Sequence, residues 1–138
     1  MMDTIGDSLS GTAAEWLAGF EKALSEGSAD TLNDLFLPDS HWRDLLALTW
    51  HVTTVSEPAK IAAALCARMT DAAPSNFRLD EMDAPVRLVM RGGREDVLEA
   101  IYRFETRNGP ATGVVRLLPD DTDGGRLKAW TLLTALES

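Results

Sequence analysis

The stretch "FEKALSEGSADTLNDLFLPDSHWRD" (residues 20–44) decides the predicted fold, because it holds the end of one helix, a second helix and the start of a strand. Just before and within it, Trp16, Phe20 and Leu24 recur every fourth residue, which is typical of the apolar stripe of a helix. Gly27 suits the left-handed position that follows a helix end. The pattern therefore predicts a first helix that ends at Gly27.

A second, shorter helix is predicted directly after this glycine. Ser28 can cap it, and its apolar residues are Leu32, Leu35 and Phe36. Pro38 then ends it, because proline cannot continue a helix.

The next segment, "HWRDLLALTWHVTTV" (41–55), is rich in β-forming residues and has no helical stripe, which favours a strand or a strand-like hairpin. A third helix follows, with Ser56 as its cap and Pro58 at its first turn. The apolar residues Ile61, Leu65 and Met69 would lie on one face of this helix.

The remainder of the chain predicts a sheet. "NFRLDEM" (76–82) and "VRLVM" (86–90) look like two halves of one interrupted strand, and three long strands follow, separated by turn sequences. Three helices with a meander of strands indicate an α+β fold, a cone-shaped curved antiparallel sheet wrapped around three helices. A capping-box spacing at Thr12 and Glu15 marks the start of a single domain over residues 12–138, after a loose tail at 1–11.

Composition excludes several classes of partner. The net charge of −9 argues against nucleic acid and against an anionic membrane surface, since both require clustered basic residues. No segment has the unbroken apolar length of a membrane span, and the first residues do not resemble a signal peptide. Cys66 is the single cysteine, so an internal disulfide is impossible. These features predict a cytoplasmic location.

The order of helix, short helix, hairpin, helix and long strands resembles the nuclear transport factor 2-like superfamily. This superfamily includes SnoaL-like cyclases, ketosteroid isomerases, scytalone dehydratase and limonene epoxide hydrolase. The segments "HWRDLLALTW", "RFET", "GVVRLLPD" and "AWTLLTALE" further resemble the amino-terminal domain that precedes the FAD module of some bacterial flavin-containing monooxygenases. The resemblance implies a cone-shaped fold, a hydrophobic pocket and a flavin monooxygenase module as one candidate partner.

No cofactor is predicted for this chain itself. Its nearest glycine-rich stretch, "RGGRED" (91–96), is a hairpin turn and lacks the GxGxxG spacing of a dinucleotide site. We therefore expect either a stand-alone relative of the monooxygenase domain or a domain cut from a longer protein.

Asp44 is the sharpest catalytic candidate. The resemblance to the isomerases implies a carboxylate base eight positions after the "LF" of the second helix, and Asp44 stands eight positions after Phe36. On a strand, Asp44 would face the same way as Trp42, and a carboxylate in a closed cavity suits a general base near neutral pH. The alternative is a carboxylate that sits at the cavity mouth or pairs with a nearby cation.

The residues that would complete a catalytic set are missing. The resemblance implies a tyrosine where this chain has Phe20, a second acid near Val114, and, for an epoxide hydrolase, an acid at Leu132. Without donors for a developing oxyanion, a base alone loses a large part of its catalytic power. Arg103 and Glu105 are expected on the outer face of the sheet, opposite the apolar face of their strand.

The two histidines give weaker signals. His41 and Asp44 could form a pair as in a dehydratase, although strand alternation separates them unless the backbone bulges. His41 and His51 lie ten positions apart, but no further spaced ligand supports a metal site, so none is predicted.

Aromatic residues distributed over the helices and strands are candidates for a ligand pocket. Each alone fits a core position, but together they could line one cavity for an apolar or aromatic ligand. The predicted pocket residues are Trp16, Phe20, Trp42, Trp50, Tyr102 and Trp130.

The last strand predicts an interface. Leu127, Ala129 and Leu133 are expected on one face and Trp130, Leu132 and Leu136 on the other. A strand that is apolar on both faces is covered on both, which favours a homodimer through the sheet. Three functions remain open: an accessory small-molecule-binding domain, a SnoaL-like isomerase, cyclase or dehydratase that uses Asp44, and a dimerisation or docking module.

Overall fold

The computed structural model describes residues 2–49, 51–81 and 85–137. Within these ranges it has three α-helices, one short 3-10 helix (Asp121–Asp123) and seven strands, which confirms the predicted α+β class. The helices are α1 (Met2–Glu26), α2 (Ala29–Asp34) and α3 (Pro58–Ala72), and the strands are β1 (Phe36–Leu45), β2 (Val52–Ser56), β3 (Ser75–Leu79), β4 (Arg87–Arg91), β5 (Arg94–Thr106), β6 (Gly109–Asp120) and β7 (Arg126–Leu136). None of the helices in these described ranges has the length and apolar content needed to cross a membrane.

Helix α1 begins at Met2, so the predicted start at Thr12 is wrong and residues 2–11 are helical where a loose tail was expected. Residues 2–25 contain no proline, and the glycines at positions 6 and 11 each cost a helix only about 1 kcal/mol. Such a sequence can extend a helix that is already stabilised by packing. Adding residues to an existing helix avoids the free-energy cost of nucleating a new one.

Helix α2 is capped as predicted but is shorter. The backbone N–H of Thr31 donates to Ser28 Oγ at 3.2 Å. The helix ends at Asp34, so the predicted helical residues Leu35 and Phe36 fall at the cap and in β1. The carbonyl of Leu35 accepts hydrogen bonds from Trp16 Nε1 at 3.1 Å and from the backbone N–H of Ala129 at 2.8 Å. These long-range contacts outweigh the local helical pattern.

Helix α3 begins at Pro58 as predicted, and Ile61 and Leu65 are fully buried on its inner face. Its cap is Glu57, with a φ of 78°, rather than Ser56. Ser56 is already used by the sheet: it pairs with His41 across β1 and β2, and its hydroxyl lies 2.7 Å from His41 Nδ1.

The strands form one curved sheet in the order β2-β1-β7-β6-β5-β3, and β4 also pairs with β5. β3 pairs with the end of β5 and β4 with its beginning, so the two segments are halves of one interrupted edge, as predicted. The sheet is mixed, because β1 runs parallel to β7 while the other pairs are antiparallel. Strands β2 to β6 lie between β1 and β7 along the chain. This long connection allows β7 to run in the same direction as β1.

The helices pack on the face of the sheet that carries the apolar residues of β5, as alternation predicts. Aromatic rings fill the space between them. Trp16 stacks on Phe20 with a centroid distance of 5.1 Å, and Phe77 stacks on Phe104 at 4.7 Å. Stacked aromatic pairs of this kind contribute about 0.5–1.5 kcal/mol each beyond their buried area. The interior of the cone is therefore largely occupied by side chains.

A β-bulge at Trp130 overturns the predicted faces of the last strand. Thr131 pairs with Arg116 and Ala129 pairs with Leu117, so Trp130 is the extra residue between them. The bulge reverses the alternation within β7. The β7 residues that pack on the main core are Leu127, Ala129, Leu132 and Leu136. Trp130 instead joins a small outer cluster with Leu37, Val97 and Leu118.

Candidate functional site

Asp44 lies at the inner face of β1 and is fully buried. Trp42 shares this face and is also fully buried, whereas Arg43 is exposed, as strand alternation predicts. Thr134 of the neighbouring strand β7 pairs directly with Asp44. Its hydroxyl donates to Asp44 Oδ1 at 2.5 Å and accepts a hydrogen bond from Trp42 Nε1 at 2.9 Å.

The turn that follows β1 provides the other donors to this carboxylate. The backbone N–H of Leu48 lies 3.1 Å from both oxygens of Asp44. The backbone N–H and the hydroxyl of Thr49 each donate to Oδ2 at 2.7 Å. With Thr134, four donors converge on one carboxylate, which has about four lone-pair positions. The carboxylate therefore has its hydrogen-bonding capacity filled and fixes the turn at residues 46–49 to the sheet.

Tyr102 is a fully buried ionisable group whose pKa is influenced by this carboxylate. Burial, and next the negative charge of Asp44, raise the pKa of the Tyr102 phenol above its ordinary value. The hydroxyl donates to the carbonyl of Leu133 at 3.0 Å. Its ring crosses Gly113, where a Cβ would overlap the ring carbon Cζ. Tyr102 is thus held as a neutral donor to the backbone of β7.

The positions where the resemblance implied further catalytic groups hold apolar residues in separate environments. Phe20 and Leu132 are buried in the main core. Val114 pairs with Ile101 and Leu133 on the outer face of the sheet and is half-buried. Arg103 also lies on that face, 3.0 Å from Asp80 Oδ2, and Glu105 lies 3.2 Å from Arg78.

His41 points away from Asp44, on the outer side of β1. Its Nδ1 lies 2.7 Å from Ser56 Oγ and its Nε2 lies 3.1 Å from Asp39 Oδ1. The strand has no bulge between His41 and Asp44 in its pairing with β2. The two side chains therefore do not form a His–Asp pair. Within the described ranges, no group of three or more potential metal ligands comes together.

Among the described residues, the predicted pocket residues do not line one common cavity: Trp16 borders one cavity and Trp42 another. Trp16, Phe20 and Tyr102 pack within the main core. Trp130 lies on the outer face because of the bulge, beneath the guanidinium of Arg94 at 4.9 Å from the ring centroid. Trp50 lies outside the described residues. Trp42 is the predicted pocket residue that adjoins a cavity beside the Asp44 network.

This cavity, here called the Trp42 cavity, lies between the β1–β2 hairpin and helix α3 and has a volume of about 280 Å³. Trp42, itself without solvent exposure, closes its inner end. Its described lining residues are Trp42, Thr49, His51, Thr53, Val55, Ala64, Ala67 and Arg68. Because Ala64 and Ala67 have small side chains, this face of α3 leaves space between the helix and the hairpin.

A larger groove of about 920 Å³ lies open to solvent beside α2 and the start of α3. It is bordered by Asp30, Asp34, Glu57 and Asp120, and by Lys128. Lys128 Nζ lies 3.0 Å from Asp120 Oδ2, and a hydrogen bond from Thr122 and next the one from Lys128 lower the pKa of Asp120 to about 2. Lys128 also lies 3.5 Å from Asp34, so the cation of the groove is already paired with carboxylates of the groove, and the open shape would leave a ligand largely exposed to solvent.

Sequence reasoning missed the hydrogen-bond donors to Asp44 and the residues of α3 that line the Trp42 cavity. Thr134 is 90 positions away from Asp44, and their proximity depends on the parallel pairing of β1 with β7. The available signal was Asp44 followed by a short turn with Thr49, since aspartates often accept hydrogen bonds from a following turn. The spacing of Ala64, Ala67 and Arg68 on α3 gave no comparable signal.

Comparison with known proteins supports the fold alone. No protein-family model and no curated protein matches the sequence. A domain of unknown function with a cystatin-like fold from Nostoc punctiforme is 11% identical, with a TM-score of 0.66, over 94% of this chain and 78% of that one. An NTF-2-like protein of unknown function from Silicibacter pomeroyi is 11% identical, with a TM-score of 0.62, over 92% and 94%.

A DUF4783 family protein from Bacteroides fragilis gives the same result, with 13% identity, a TM-score of 0.59, and coverage of 86% of this chain and 96% of that one. At such identities the likeness concerns architecture. None of these three comparisons connects the chain to a flavin monooxygenase. The chain has the NTF2-like, cystatin-like fold.

Proposed function

We propose that this domain binds a small apolar molecule in the Trp42 cavity and does not transform it. One observation carries the proposal: the buried acid beside the cavity, Asp44, already accepts hydrogen bonds from four donors. A general base needs a free lone pair within reach of the substrate proton. A carboxylate with every position occupied instead stabilises the walls of a binding site.

The chemistry of the walls supports an apolar ligand. Val55, Ala64 and Ala67 contribute aliphatic surface, and Trp42 closes the inner end. Ligand sites are mostly apolar with a few polar groups, and commonly have volumes of about 300–1,000 Å³. At about 280 Å³ the Trp42 cavity lies just below that range, which limits its ligand to a small molecule.

The proposal is tested with a variant that fills the cavity and a matched control on the same helix. Ala64→Leu adds bulk at the cavity wall, and Ala63→Leu makes the same change at an exposed position. We expect isothermal titration calorimetry to show that wild type and Ala63→Leu bind 2-naphthamide or 2-naphthoate, and that Ala64→Leu binds about tenfold more weakly. Equal affinities of the two variants would contradict the proposal, as would binding of neither probe to the wild type.

A catalytic role for Asp44 in a SnoaL-like reaction stays a prediction. It would require a substrate that displaces Thr49 or Thr134 from the carboxylate. Asp44→Asn tests the two roles, because an amide cannot accept from four donors and brings two donors of its own. The structural role predicts a free energy of unfolding lower by about 1–3 kcal/mol, whereas unchanged stability would favour the catalytic role.

Association with a second copy also stays a prediction, although the bulge removes part of its original basis. Ile101, Val114 and Leu133 still form a half-buried apolar row across three strands of the outer face. This row supports a homodimer through the sheet. Sedimentation equilibrium at micromolar concentration distinguishes a dimer from a monomer, and a monomer would contradict it. Docking to a flavin monooxygenase module and a cytoplasmic location stay predictions from the sequence.

A further inference from the structure

Resting on the proposed function, we infer that the ligand of the Trp42 cavity is a small apolar carboxylate whose anionic group is bound by Arg68. The inference starts from the charge of the cavity. Among the described residues that line it, none is an aspartate or glutamate, while Arg68 contributes one permanent positive charge. This contrasts with the chain as a whole, which carries a net charge of −9.

Arg68 is the one arginine among the described lining residues of the cavity, and it has no ion pair with any described carboxylate. Within the described ranges, Arg43 and Arg107 also lack an ion pair but do not line the cavity, whereas the arginines paired with carboxylates are Arg78, Arg87, Arg91, Arg94, Arg103, Arg116 and Arg126. Arg68 projects from α3 at the exposed end of the cavity and makes no ion pair or hydrogen bond with a described residue. Its guanidinium is therefore available to a ligand.

The geometry of the cavity fixes the orientation of such a ligand. Among the lining residues, Trp42 and Thr49 are buried and Thr49 donates to Asp44, whereas Arg68 is exposed, so Trp42 and Thr49 define the inner end of the cavity and Arg68 the exposed end. A ligand anion near Asp44 would be repelled, whereas its apolar part fits beside the indole. The carboxylate therefore lies at the exposed end, where His51 adds an imidazole to the same rim.

The single permanent cation among the described lining residues, Arg68, favours a ligand with a single negative charge. A single guanidinium presents two parallel N–H groups that match the two oxygens of one carboxylate. A phosphate monoester carries nearly two charges at neutral pH, and one arginine would leave one of them without a partner. A monocarboxylate on a flat apolar body satisfies the charge, the shape and the volume together.

The experiment compares two probes that differ in charge but hardly in shape, 2-naphthoate and 2-naphthamide. Their affinities are measured by isothermal titration calorimetry on the full chain, for the wild type, Arg68→Gln, Arg68→Lys and Arg43→Gln. Arg43 is the matched control, because it is exposed on β1 and does not line the cavity. Circular dichroism confirms that each variant is folded.

We expect the wild type and Arg43→Gln to bind 2-naphthoate about tenfold or more tightly than 2-naphthamide, the size of effect that a hydrogen bond to a charged group gives. Arg68→Gln should bind both probes equally, and Arg68→Lys should keep part of the preference. Equal binding of both probes to the wild type would overturn the inference and leave the proposed function standing. If neither probe binds, both are overturned.

Discussion

Thr134 Oγ1 lies 2.5 Å from Asp44 Oδ1, although the two residues are 90 positions apart in the chain. This hydrogen bond joins the first strand to the last, and the same hydroxyl accepts a hydrogen bond from Trp42 Nε1. One threonine thus hydrogen-bonds to both Trp42 and Asp44 on the inner face of β1. It adds a fourth donor to the three that the following turn gives the buried carboxylate.

Removing this hydroxyl should destabilise the protein. Thr134→Val keeps the shape of the side chain but leaves the indole N–H of Trp42 without an acceptor and Asp44 with one donor fewer. Loss of buried hydrogen bonds of this kind costs about 1–3 kcal/mol. Urea unfolding should show that decrease for Thr134→Val and little change for Thr131→Val, which lies half-buried on the other face of β7. Equal effects of the two substitutions would contradict the account.

Two glycine-to-alanine substitutions should have opposite effects. At Gly113 a Cβ would overlap the Tyr102 ring and lie 2.6 Å from the carbonyl of Leu133, so Gly113→Ala should destabilise by about 1–3 kcal/mol. At Gly19, within α1, the nearest atom to a new Cβ is 3.8 Å away. Gly19→Ala should therefore stabilise by about 0.5–1 kcal/mol through the unfolded chain. Thermal unfolding measures whether each variant is less or more stable than the wild type. A Gly113→Ala variant as stable as the wild type would show that the Tyr102 ring can move away from the new Cβ.

Acid should remove the contribution of Asp120 to stability. Its folded pKa of about 2 lies below the ordinary value of 3.8, so its stabilising effect is complete above pH 4 and is lost as the pH falls toward 2. Asp120→Asn should be less stable than wild type at pH 7, and the difference should shrink below pH 4. Asp121→Asn, at the exposed neighbouring position, serves as the control. A difference that stays constant from pH 7 to pH 2 would contradict the assignment.

The elements with strong local signals were predictable from the sequence. The Ser28 cap, the start of α3 at Pro58 and the alternation of Trp42 and Asp44 on β1 depend on neighbouring residues, and the structure confirms each of them. The interrupted sheet edge formed by β3 and β4 was also predictable, because the sequence signal for the interruption lies within a few residues of both strands.

Features that depend on register or distant pairing were not predictable. The bulge at Trp130 appears only when β7 is aligned with β6, and a shift of one residue moves every following side chain to the other face. The donors to Asp44 likewise require the parallel pairing of β1 with β7. The predicted common aromatic cavity failed for a related reason: in the folded chain Trp16, Phe20 and Tyr102 pack on other side chains in one core.

The central claim is that a ligand occupies the Trp42 cavity, and its location can be measured directly. Methyl-labelled protein titrated with 2-naphthoate should show chemical-shift changes at Val55, Ala64 and Ala67, which line the cavity. Ala63, at an exposed position of α3, and Ala59, beside the open groove, should stay unchanged. Changes confined to Ala59, or absent from all three cavity methyl groups at saturation, would contradict the account.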